Sequence, residues 1–110
     1  MSLSPTAFAT ARRNVTQRIA RFIEGLEQPP REPDPWESHH VLRALAALDE
    51  LDFPRGEQAM MWAEWAPERR SPDAMATLPP VRQPMSTAQL RQQFDRTMRV
   101  RCGSLKLPAS

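Results

Sequence analysis

The chain has 110 residues, a formal net charge of +2, twelve prolines and seven aromatic residues, none of them tyrosine. That length gives one small core and excludes two independent ones, and few aromatics with about twice the usual proline favour helices joined by stiff linkers over a sheet. No apolar run approaches the roughly 18 residues of a membrane span, and the single cysteine, Cys102, excludes an internal disulfide and fits a reducing compartment, the cytoplasm by default.

The spacing of apolar residues predicts four helices. In the first, over about 5 to 26, Phe8, Val15, Ile19, Phe22, Ile23 and Leu26 share one face. The first 23 residues contain no acid and are rich in Ser, Thr, Ala and Arg, as a mitochondrial presequence is, but the stripe runs on to Leu26 through acidic Glu24 and argues for a helix of the fold. Gln28-Pro29-Pro30-Arg31-Glu32-Pro33 then imposes an extended linker.

The second helix, Pro35 to about Leu51, has the most specific start in the chain. Asp34 can accept a first-turn amide, Pro35 has no amide to leave unpaired, and Glu37 can reach back to the cap. Trp36 fixes the angle of entry, and Val41, Leu42, Leu45, Leu48 and Leu51 follow. A third helix runs from about Pro54 to Ala66, ended by Pro67, and carries Met60, Met61, Trp62 and Trp65. Residues 67–85 read as a proline-rich arm or tether. The fourth helix opens on the capping box Ser86-Thr87-Ala88-Gln89, lines up Leu90, Phe94 and Met98, and stops by Gly103. It can fold back over the first two helices or reach a partner groove through its i, i+4, i+8 anchors. The organisation is therefore all-α and extended rather than compact: a three-helix domain over 1–66, the linker 67–85, and a C-terminal helix and tail over 86–110.

Charge falls in blocks. Arginines 12, 13, 18 and 21 precede an acid-rich middle, and Arg82 to Lys106 is basic again. The blocks can pair inside the fold or steer the chain to an acidic partner. Aromatics do not interleave with the arginines, which disfavours nucleic acid, although a basic regulator binding through the fourth helix stays open as an alternative. Fourteen arginines against one lysine point to a GC-rich, bacterial genome.

No catalytic constellation is present: there is no phosphate loop, nucleophile elbow, cysteine pair or His-Glu-x-x-His. His39 and His40 are adjacent and so about 100 degrees apart on a helix, which prevents both from facing one metal; they read as surface or cap-proximal residues. Glu64 and Glu68 read as an exposed helical pair, not an acid and base. No metal ligand and no catalytic residue is assigned.

Pro35-Trp36-Glu37, the aliphatic helix, Glu50-Leu51, Phe53, Glu57 and Ala59 together resemble the N-terminal helical segment of nitrile hydratase β subunits and of their small accessory (activator) proteins, and Ile23-Glu24-Gly25-Leu26 through Pro29-Pro30-Arg31 resembles the accessory proteins' lead-in. The resemblance covers about residues 20–66. Catalytic β subunits carry an arginine two residues past the acid, where this chain has Ala59, as the accessory proteins do. The usual tryptophan beside the acid is replaced by Gln58, and the small-barrel half of a β subunit and the cysteine cluster of an α subunit are both missing. The resemblance implies a non-catalytic accessory protein or small subunit, without a cofactor of its own, that binds a larger metalloenzyme chain carrying cobalt or iron and assists its assembly or metal loading. A truncated β-like subunit of a split nitrile or thiocyanate hydrolase, or a homodimer, are further possibilities. In the accessory reading Trp36, Leu42, Leu45, Phe53, Met61 and Trp65 supply apolar contact, and Leu90, Phe94 and Met98 wrap the partner.

Overall fold

A computed structural model describes residues 4–73 and 85–99. Among these the chain is all-helical: α1 spans Pro5–Glu27, α2 Pro35–Asp49, α3 Phe53–Ala63, a short 3-10 turn Pro67–Arg69, and α4 Thr87–Met98. Residues 74–84 of the arm and the tail from 100 onward, with Cys102 and Gly103, lie outside the described residues.

Each helix starts where a side chain can satisfy amides that have no helical partner. Ser4 Oγ accepts from the Ala7 amide at 3.1 Å, ahead of Pro5. Asp34 and Glu37 close a capping box, with bonds of 2.8 and 3.0 Å, and Ser86 and Gln89 close a second, with bonds of 3.1 and 2.8 Å. Asp52 caps α3, which starts it at Phe53, one residue earlier than Pro54.

One core joins all four helices. Val15, Ile19, Ile23 and Leu26 of α1 meet Val41, Ala44, Leu45 and Leu48 of α2 and Phe53, Ala59, Met60 and Ala63 of α3, and Leu90 and Phe94 of α4 complete it. The expected extended layout is therefore corrected: α4 lies back on α1 and α2. Thr87 fastens its first turn to the linker, donating its hydroxyl to the Arg31 carbonyl at 2.5 Å and its amide to Glu32 at 3.2 Å. Arg91 then grips Glu27 at the end of α1 with bonds of 3.0 and 2.7 Å. Two apolar side chains and these polar ties decide the fold-back.

The α2–α3 connection is tight. The Asp52 amide donates to the Ala47 carbonyl and the Leu51 amide to the Leu48 carbonyl, the paired bonds of a Schellman cap. Such a cap needs a left-handed residue, and here it is Leu51, at φ 61°, where glycine is the usual occupant. Its side chain is 43% exposed, so little packing compensates the strain. Gly56 of α3 meets both other helices here: a Cβ on it would lie 3.0 Å from a Val15 methyl and 3.7 Å from Ala47.

Replacing Leu51 by Gly is expected to raise stability by about 0.5–1 kcal/mol, the relieved strain minus the extra freedom of the unfolded chain. Gly56→Leu should lower it by about 1–3 kcal/mol through overpacking. Urea denaturation of both variants checks the opposite signs.

Candidate interaction site

The entrance to α2 gathers much of the polar structure of the fold. The Glu37 carboxylate is nearly buried, its side chain 8% exposed, and its charge is met by the Arg31 guanidinium through two parallel bonds of 2.9 and 2.7 Å. Pairing of this kind is what makes a buried carboxylate tolerable. The second Asp34 oxygen accepts from Arg70 at 2.6 Å. Arg70 is itself buried, its side chain 6% exposed; it donates twice more to the Trp65 carbonyl and lies 5.4 Å from the Trp36 ring centre. The segment after α3 is thereby returned to the start of α2.

All three tryptophans collect here. Trp36 is buried, and its indole N–H donates to the Trp62 carbonyl at 2.6 Å. The Trp62 ring lies 5.9 Å from Trp36 and 4.3 Å from Trp65. His40 packs edge-on to Trp36 at 4.6 Å and roughly parallel to Trp62 at 6.1 Å, with His39 4.9 Å away. The expectation of a surface histidine is corrected for His40, because the two indoles cover it. Neither of its ring nitrogens meets a hydrogen-bond partner among the described residues, and Ser38 Oγ is likewise buried without one. Burial, reinforced by His39, Arg43 and Arg70, pushes the His40 imidazole down to about 4. His39 is lowered too, by burial and by Arg43. At neutral pH the His40 ring is a flat, neutral, aromatic packing element.

The residues expected to contact a partner divide by burial. Trp36, Leu45, Phe53, Leu90 and Phe94 are buried in the chain's own core, which narrows the accessible contact to half-buried Leu42, Trp65 and Met98 and exposed Met61. Glu64 binds Arg18 at 2.8 and 2.9 Å, while Glu68 sits in the 3-10 turn, so the two do not share a helix. Among the described residues no three His, Cys, Asp or Glu side chains are grouped to hold a metal ion, and no helix is long and apolar enough to cross a membrane. Arg31 and Arg70 were given no role in sequence, although the prolines around Arg31 and the tryptophans five and eight residues before Arg70 mark a crowded corner.

Because His40 titrates at 6.5 when unfolded and about 4 when folded, the unfolded chain binds more protons between those values. Stability should thus be full above pH 6.5 and fall as pH drops toward 4, by about 3 kcal/mol from this residue. Glu27, held low by Arg91, keeps its contribution above the ordinary carboxylate range and loses it as pH falls through that range toward the lowered value. His40→Leu should flatten the slope between pH 6.5 and 4.5 in urea denaturation, and an unchanged slope would exclude His40 as its source. Trp36→Ala should cost about 3–5 kcal/mol, since it empties a buried site and removes the indole hydrogen bond to the Trp62 carbonyl; thermal denaturation reads it directly. Compared with known proteins, the chain matches no family model, no curated protein and no solved structure.

Proposed function

We propose that the chain is a non-catalytic, cytoplasmic accessory protein that docks on a larger metal-dependent hydratase of the nitrile hydratase type and assists its assembly or metal loading, cobalt or iron belonging to that partner. The observation that carries this reading is the placement of exposed apolar surface. Leu51 and Met61, each 43% exposed, are the large hydrophobic side chains left most open among the described residues, and both lie on α2–α3, within the segment that resembles the accessory proteins. Leu51 also keeps an unfavourable backbone conformation that a glycine would relieve. A side chain retained against the local interest of the fold is expected where something else uses it.

Ala59 supports the non-catalytic half of the proposal. The catalytic β subunits that the segment resembles have an arginine at this point, whereas here the position is 2% exposed, inside the core, with no route for a long side chain to a neighbour's metal. Half-buried Trp65, two residues past the end of α3, adds to the accessible apolar surface.

Co-purification of the tagged chain from its host, with mass spectrometry and metal analysis, tests the reading. A cobalt- or iron-bearing hydratase subunit should be recovered, and Met61→Glu and Leu51→Glu should each weaken its retention about tenfold or more while leaving the helical circular dichroism intact. Recovery of the chain alone, or with nucleic acid, would overturn it.

A further inference from the structure

On the side of α1 that faces the end of α3, two hollows of about 540 and 430 Å3 meet at Phe22 and Glu64. Together they form a trough that runs from Asn14 on α1 to Arg70 beyond α3. Its aromatic lining is half-buried Phe22 and Trp65.

The charges of this trough do not cancel. Arg18 is held by Glu64, with Glu57 at 3.9 Å; Arg31 is held by Glu37; Arg70 is held by Asp34. Arg21, exposed beside Phe22, has no hydrogen bond or ion pair among the described residues. One guanidinium with its full set of donors thus stands next to an apolar wall, and Asn14 and Gln17, one to two turns earlier, offer amides that can pair with an extended main chain.

One turn past Arg21 comes Gly25. A Cβ there would meet nothing within 4 Å, so no packing inside the chain explains a residue that weakens a helix. Gly25 lines neither hollow, so this bare backbone lies beside the trough and not within it.

We propose that the trough is a docking site for a short acidic segment of a protein partner, its carboxylate taken by Arg21 and an adjacent apolar side chain seated against Phe22 and Trp65. Only the identity of that partner rests on the proposed function; the recognition chemistry rests on the trough. An extended occupant fits because the site spans two adjoining hollows, with the side-chain amides of Asn14 and Gln17 in one and the aromatic faces of Phe22 and Trp65 in the other.

The test uses the full chain and two capped tripeptides, leucine-glutamate-leucine and leucine-glutamine-leucine, followed by amide and indole chemical shifts. The glutamate peptide should move the resonances of Arg21, Phe22 and the Trp65 indole. The glutamine peptide, and the glutamate peptide on Arg21→Gln, should bind about fivefold more weakly. Arg21→Gln should leave the melting temperature unchanged, which separates a lost contact from a damaged fold. Equal affinity for the two peptides, shifts located elsewhere, or the same shifts produced more strongly by a duplex oligonucleotide would overturn the assignment. Peptide binding in the trough without recovery of a hydratase would sink the proposed function and leave the trough standing, and the reverse pattern would do the opposite.

Discussion

A carboxylate buried at the start of a helix sets the frame of this protein. Glu37 can sit among apolar neighbours only while its charge is answered, and the answer comes from Arg31, in the linker between α1 and α2. That obligation fixes the path of the linker. The Arg31 carbonyl in turn receives the Thr87 hydroxyl, so the first turn of α4 is placed by the same residue. Asp34 repeats the arrangement on the other side, drawing Arg70 and the chain after α3 to the same corner. Segments far apart in sequence thus converge on the four residues Asp34-Pro35-Trp36-Glu37.

The aromatic cluster follows from that convergence. With Trp36 buried and its N–H spent on the Trp62 carbonyl, the space beside the two indoles suits a flat ring, and His40 fills it in its neutral form. An imidazole without partners is poor hydrogen-bonding economy but good shape matching, since face-to-face and edge-to-face ring contacts compensate in part for unmet polar atoms. The stretch of α1 beside this crowded corner and the α2–α3 connection contrast with its dense pairing: there the chain keeps a guanidinium without a partner among the described residues, a glycine with open space around it, and a strained exposed leucine.

Helix starts were legible in sequence because capping is local. Ser86 with Gln89, and Asp34 with Pro35 and Glu37, each state their geometry within four residues, and the apolar stripe from Val15 to Leu26 needed only its own period. What sequence did not show depends on distant partners. Arg70 reaches back 36 residues to Asp34, Arg91 reaches 64 to Glu27, and Arg18 reaches 46 to Glu64. No periodicity announces such pairs. His40 looked like a surface residue for the same reason: its neighbour Trp36 is close in sequence, but the ring that closes over it, Trp62, arrives from another helix. The contact residues expected at a partner surface were drawn from apolar spacing, which identifies faces but does not distinguish a face turned to the chain's own core from one turned outward.

The gathering of Trp36, Trp62 and Trp65 into one cluster has an optical consequence. With no tyrosine in the chain, near-ultraviolet emission comes essentially from this single patch, at the junction of α2 with the end of α3. The α4 helix, held by Leu90, Phe94 and the Arg91 pair, contains no tryptophan and would detach almost silently. A fluorescence transition in this protein therefore reports the tryptophan corner, and a helicity signal that departs from it would report α4 letting go on its own.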